Sequence, residues 1–222
     1  MDTNSLGPTD QSAPVDTRRS PLDLYLRPAR FFGRGVRGLE GRALVVAAWV
    51  VGMNWTLGRF ERMMLRADLG DPNETLMGIS QSWPSFWMAV AFAGVISAAF
   101  VWLIGTWWYR VRLRWSGASD PSSDVARVVY VYSGLVWAVP SLLWTLVQTV
   151  RFPNFAAAWG SESVWDLMLL VFPVWACWVS YRGVRATFDV RPGRARFWFL
   201  VLPIVGFLLA FGVVGAMYSQ LG

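Results

Sequence analysis

Histidine and lysine are absent from this 222-residue chain, and cysteine occurs once, at Cys177. Without histidine there is no Ser-His-Asp triad, no Cys-His pair and no imidazole metal site. A lone cysteine excludes an intrachain disulfide, a CxxC redox pair and a four-cysteine zinc site. The reading is therefore of a non-enzyme, with no catalytic residue, metal or cofactor. Charge is also scarce, at 15% of residues against 55% hydrophobic, and all 20 cations are arginines. With 15 tryptophans as well, the composition is too apolar for an ordinary soluble domain of this length.

The apolar residues come in long runs almost free of charge. A membrane-crossing helix needs roughly 20 mostly apolar residues. Five runs qualify or come close: about 43–58, 84–109, 128–150, 164–181 and 197–218. The first and fourth are short, but flanking arginines can snorkel and a bilayer can thin around them. Asp166 falls in the first turn of the fourth run, where the helix dipole favours a carboxylate. The expected fold is an all-α polytopic membrane protein with five transmembrane helices over residues 43–222. The segment before Ala43 is too polar and too late for a cleavable leader.

Arginine placement predicts orientation. With five spans, sixteen arginines fall on one face and four on the other, leaving net charges of +8 and −2. The arginine-rich face is expected to be cytoplasmic, in a cytoplasmic (inner) membrane, with the N-terminus there and the C-terminus opposite. The basic pI then reflects topology and anionic lipid headgroups rather than nucleic acid.

Residues 1–20 are polar and poor in large apolar side chains, and are expected to be a disordered tail. Residues 21–42 form a basic segment. A helix starting at Pro28 would set Ala29, Phe32, Val36 and Leu39 on one face and Arg30, Arg34 and Arg37 on the other, the pattern of an amphipathic helix lying in the cytoplasmic interface. Gly33, Gly35, Gly38 and Gly41 weaken it by about 1 kcal/mol each relative to alanine. Gly33-Arg34-Gly35-Val36-Arg37-Gly38 is formally GxGxxG, but a dinucleotide site needs a preceding strand and a βαβ unit; here a membrane span follows. Residues 59–69 suggest a second short interfacial helix.

Inside the spans, Gln148, Asn54, Thr145 and Ser133 are the main polar side chains, each suited to bonding a neighbouring helix. Pro140, Pro173 and Pro203 can bend their helices. Gly94/Ala98, Gly206/Ala210 and Gly212/Ala216 permit close helix contact, within the bundle or with another subunit. Trp83, Trp107, Trp108, Trp115, Trp159, Trp165 and Trp198 flank spans in the manner of interfacial belts.

Local patterns carry a family resemblance. Asp23-Leu24-Tyr25-Leu26-Arg27-Pro28 is similar to the Asp-Leu-Tyr-Gly-Pro motif of the Yip (Ypt-interacting protein) family, with Leu26 for glycine and Arg27 inserted. Arg27-Pro-Ala-Arg-Phe-Phe resembles the entry of its prokaryotic members. Tyr130-Val-Tyr132 through Pro140 resembles the family's tyrosine–proline element in the third span. The likeness runs from about Leu22 to Tyr218. It implies a five-span bundle that acts by contacting other membrane components. Eukaryotic members bind prenylated small GTPases in vesicle trafficking, a role not transferable to a bacterial membrane; some prokaryotic members accompany transporters.

The resulting expectation is a non-enzymatic accessory or scaffold protein of the Yip type, partnered with a transporter or other membrane complex. The alternative is a small transporter or channel-like bundle. Asp23, Tyr25, Pro28, Arg30, Arg34 and Arg37 are the candidate partner or lipid contacts. Tyr130, Tyr132 and Pro140 are the family-like motif, and Gln148 and Asp166 are the candidate polar intramembrane groups. Anionic lipids, another membrane protein and a second copy of the chain are the expected partners.

Overall fold

The structure, a computed structural model, describes residues 20–36, 38–71, 73–161 and 168–218. Residues 1–19 of the tail expected over 1–20, together with Arg37, Trp165 and Asp166, lie outside the described residues, while Ser20 caps the first helix. Every element among those described is helical. A bilayer offers no water to backbone N–H and C=O groups, and a helix satisfies them within one segment.

Four helices among the described residues are long and apolar enough to cross a membrane. The first is α3 (Arg42–Asp68). The second is continuous from Trp83 to Trp115, made of α5 (Trp83–Phe100), a π-helical turn (Val101–Gly105) and α6 (Thr106–Trp115). The third is α7 (Ser123–Arg151). The last joins α10 (Pro192–Arg196), a second π turn (Phe197–Val201) and α11 (Leu202–Tyr218). Between them lie α4 (Glu74–Ser80), α8 (Phe155–Trp159) and α9 (Val171–Thr187). The run expected from residue 164 enters α9 from residues outside the description.

The helices outrun the charge-free stretches. Residues 59–68 continue α3 instead of forming a separate interfacial helix, and α9 passes Arg182 and Arg185 to end at Thr187. The cause is that charge marks where the bilayer core ends, while the helix stops only where backbone bonding stops. Arginine and glutamate are good helix formers.

The basic segment also differs from the expected single helix. It forms α1 (Pro21–Leu26) and α2 (Pro28–Gly33), each opened by a proline whose missing N–H costs nothing at a first turn. Beyond α2 the chain turns at Gly35 and Gly38, with φ of 82° and 87°. That left-handed backbone is unfavourable for residues with a Cβ and ends the periodicity the sequence suggested.

Helices α3 and α7 form the centre. Half of the most apolar window of each is buried within the chain, against 17% for the second span and 6% for the last. Where α3 crosses α5, a Cβ on Gly52 would strike the Gly94 carbonyl oxygen and approach Ala98 N to 2.6 Å. The Gly94/Ala98 pair is thus consumed inside the bundle.

The connections gather at two ends. At one, Phe60, Trp83, Phe86 and Phe155 form an aromatic cluster, with Phe86 and Phe155 stacked at 4.4 Å. There Trp83 Nε1 donates to the Phe152 carbonyl at 2.8 Å, and Trp159 Nε1 to Asp68 Oδ2 at 2.9 Å. These two tryptophans, expected as interfacial belts, tie connections together. At the opposite end the Arg191 N–H donates to the Ser116 carbonyl at 2.9 Å. That end collects the arginine-rich connections and α2.

Candidate functional site

At the basic end α1 and α2 are docked against α7 and α9, and the two motifs separated by a hundred residues meet. The Tyr25 hydroxyl donates to the Leu135 carbonyl of α7 at 3.4 Å. Trp175 Nε1 of α9 donates to the Tyr25 carbonyl at 3.0 Å. Leu135 lies close to Pro140, whose missing N–H leaves the Val136 carbonyl without its i+4 donor. Asp23 faces Arg34 at 3.8 Å, linking the start of α1 to the end of α2. That pair is part-exposed and contributes little by itself.

Phe31 and Phe32 are buried rather than turned to lipid. The Phe31 ring lies 5.1 Å from Phe32 and 5.9 Å from Tyr132, within the range of favourable aromatic contact. Gly183 of α9 admits Phe32: a Cβ there would stand 2.9 Å from its ring. Pro28 is buried and Arg30 exposed. Leu22 and Leu26, one turn apart on α1, are exposed at 66% and 67%. Burial raises the Tyr25 phenol above its ordinary pKa and keeps it a donor at neutral pH.

Tyr130 occupies a different place. Its ring fills the space a Cβ on Gly105 would need and lies 5.4 Å from the Tyr109 ring. Tyr109 is fully buried and its hydroxyl pairs with Ser180 Oγ at 2.9 Å. Phe199, in the second π turn, stands edge-on to Tyr109 at 4.9 Å. Arg112 lies over both rings, 5.2 Å from Tyr109 and 4.8 Å from Phe199, and Nη1 donates to the Trp198 carbonyl at 3.4 Å. The two π turns therefore converge on one cluster of Tyr109, Arg112, Tyr130, Ser180 and Phe199.

This cluster is not apparent in the sequence, where Arg112 is one more topological charge. The available signal was spacing: Arg112 follows Tyr109 by three residues, and so shares its helix face. Gln148 sits far along α7 from Tyr132, where its carbonyl accepts the Phe152 N–H at 2.9 Å; it joins neither assembly. Among the described residues, no group of three or more His, Cys, Asp or Glu side chains gathers to hold a metal.

Long apolar helices, a polar cluster at one end and a folded-back basic segment define a multi-pass helical membrane protein. The Yip1 domain family model matches residues 22–214, and the chain belongs to that family. No curated protein and no solved structure matches it.

Proposed function

We propose that this protein is a non-enzymatic accessory or scaffold of a membrane, associated with a transporter or another membrane complex. The observation that carries the reading is the state of the last helix. Only 6% of its apolar window is buried within the chain. Leu202, Val205, Leu208, Leu209, Phe211 and Val213 are exposed, and a Cβ on Gly206 or Gly212 would meet nothing within 4 Å. The same small-residue spacing at Gly94 and Ala98 is spent inside the bundle, against Gly52 and Met53. An identical device left open on α11 supports close approach by a helix from another chain.

The proposal includes five spans, the residues from 164 completing the one that contains α9. It sets the N-terminus in the cytoplasm of a bacterial-type inner membrane and the C-terminus opposite. The grouping of arginine-rich connections at one end supports it. Arg30 and Arg34 then face the anionic headgroups, while Asp23, Tyr25 and Pro28 hold α1 and α2 in place to present them; the expected contact at Arg37 lies outside the described residues.

Purification of the tagged protein from its own host in a mild detergent tests the reading. A stoichiometric membrane complex, lost when Gly206 is replaced by leucine in a protein that still folds, is the expected result. A lone protein that drives solute flux in liposomes would replace it with the small-transporter reading. Single-cysteine labelling from each side, in a Cys177→Ala background, checks span number and sidedness.

A further inference from the structure

Arg112 is a cation whose surroundings supply only part of what it needs. Its Nε is buried and has no hydrogen-bond partner, and the guanidinium's one hydrogen bond, from Nη1 to the Trp198 carbonyl, is long at 3.4 Å. Among the described residues no carboxylate stands within ion-pair distance of it; Asp23 faces Arg34 and Asp124 pairs with Arg127. A guanidinium carries five donors and keeps its charge at any accessible pH. Held against two aromatic rings and short of acceptors, such a group calls for an anion from outside the chain.

The neighbourhood indicates which anion. Trp108 and Trp115 are exposed at 42% and 43%, and Phe197 at 48%. Their rings run in contact from α6 to the start of the last span: Trp108 to Trp115 at 5.4 Å, Trp115 to Trp198 at 4.5 Å, Trp198 to Phe197 at 5.2 Å. Exposed tryptophans at a span end mark the depth of the glycerol and headgroup region. The Arg191–Ser116 backbone bond brings α10 to the same end of the bundle, and the exposed Arg114, Arg194 and Arg196 add positive charge there. The second π turn, Phe197–Val201, contains the carbonyl that Arg112 contacts. A π turn departs from i+4 pairing and recurs at ligand sites. Guanidinium nitrogens in a fixed fork match the oxygens of a phosphate.

We propose that Arg112 binds the phosphate of a membrane phospholipid at the junction of α6 and the second π turn, with Trp108, Trp115 and Phe197 against its glycerol and upper acyl region. The site is separate from Arg30 and Arg34, and stands whether or not a protein partner binds α11. It requires the membrane setting that the family supplies, not the accessory role.

The test uses full-length protein in detergent. Thermal unfolding is followed with added dioctanoyl phosphatidylglycerol, dioctanoylglycerol or inorganic phosphate. Native mass spectrometry counts phospholipid retained on the purified protein. Wild type should retain phospholipid and gain stability from dioctanoyl phosphatidylglycerol alone. Arg112→Gln, which loses a charge-assisted contact, should bind it about tenfold more weakly or worse. Arg112→Lys should fall between, and Arg59→Gln, exposed on α3 at the opposite end of the bundle, should match wild type. Equal binding by Arg112→Gln and wild type overturns the proposal. An equal shift from dioctanoylglycerol removes the phosphate, and a full shift from inorganic phosphate removes the lipid; either also overturns it. If Arg112→Gln does not fold, wild type and Arg112→Lys decide, and absence of both retained lipid and a shift in wild type is then fatal. Loss of a protein complex without loss of lipid would count only against the accessory role.

Discussion

The Tyr25 hydroxyl reaches the Leu135 carbonyl across 3.4 Å, bonding the segment before the first span to the third span. Tyr25 belongs to one family-like motif and Leu135 lies inside the other. The two are read as separate elements in the sequence, yet they form one joint. The N-terminal segment is therefore part of the bundle.

Replacing Tyr25 by phenylalanine keeps the ring and removes the donor. The expected cost is about 0.5–1.5 kcal/mol, the ordinary net value of a hydrogen bond. Because burial raises the folded-state phenol pKa, the docked segment favours the protonated form. Its contribution is fully present below the free phenol value of about 10 and is lost as pH rises above it. Protease cleavage after Arg30 or Arg34, followed against pH, reads this directly. Equal cleavage of wild type and Tyr25→Phe at every pH would show that the bond does not hold the segment.

Two glycines of similar appearance should behave oppositely. Gly52→Ala sets a methyl group against the backbone of Gly94 and Ala98, which cannot move aside as a side-chain tip can. It should destabilise the bundle by about 1–3 kcal/mol, the usual cost of overpacking. Gly206→Ala meets nothing within 4 Å and should gain slightly from helix propensity, up to about 1 kcal/mol. Thermal unfolding in one detergent compares them. A neutral Gly52→Ala would mean that α3 and α5 cross farther apart than described.

Thr106 supplies a third prediction. Thr56, Thr145, Thr149 and Thr187 each donate their hydroxyl to the carbonyl four residues earlier. Thr106, 3% exposed, follows the first π turn and its Oγ1 has no partner. The altered turn explains this, since a π register moves the carbonyl that a regular helix would offer. Thr106→Val should be neutral or stabilising by about 1 kcal/mol or more, because it removes an unsatisfied buried group. Thr145→Val, which breaks a made bond, should cost about 0.5–1.5 kcal/mol. A larger loss for Thr106→Val than for Thr145→Val would show that the Thr106 hydroxyl serves a bound ligand.

The helical class, the membrane setting and the family were legible in the sequence, because each depends on local or cumulative properties. The absence of histidine and lysine, the runs of apolar residues and the spacing of arginines need no knowledge of what touches what. The positions of Tyr25, Tyr130, Tyr132 and Pro140 stood out for the same reason: short motifs survive as strings of letters. Helix ends were less legible, since a charged side chain ends an apolar run without breaking a backbone bond; α3 runs on through Arg59, Arg62 and Arg66 to Asp68.

Tertiary structure alone decided where the side chains went. Phe32 looked like a lipid-facing residue of an interfacial helix and is buried against Gly183, because a bilayer and a protein groove are equally apolar and periodicity cannot tell them apart. Gly94/Ala98 and Gly206/Ala210 share one spacing, yet α3 covers only the first pair. Arg112 counted as a topological charge until α6 and the last span were brought together, when it became a cation over two rings with an unpaired nitrogen. Composition and periodicity set which solvent the chain enters; contacts between residues far apart in sequence set which polar groups remain unsatisfied there, and those contacts exist only once the helices have packed.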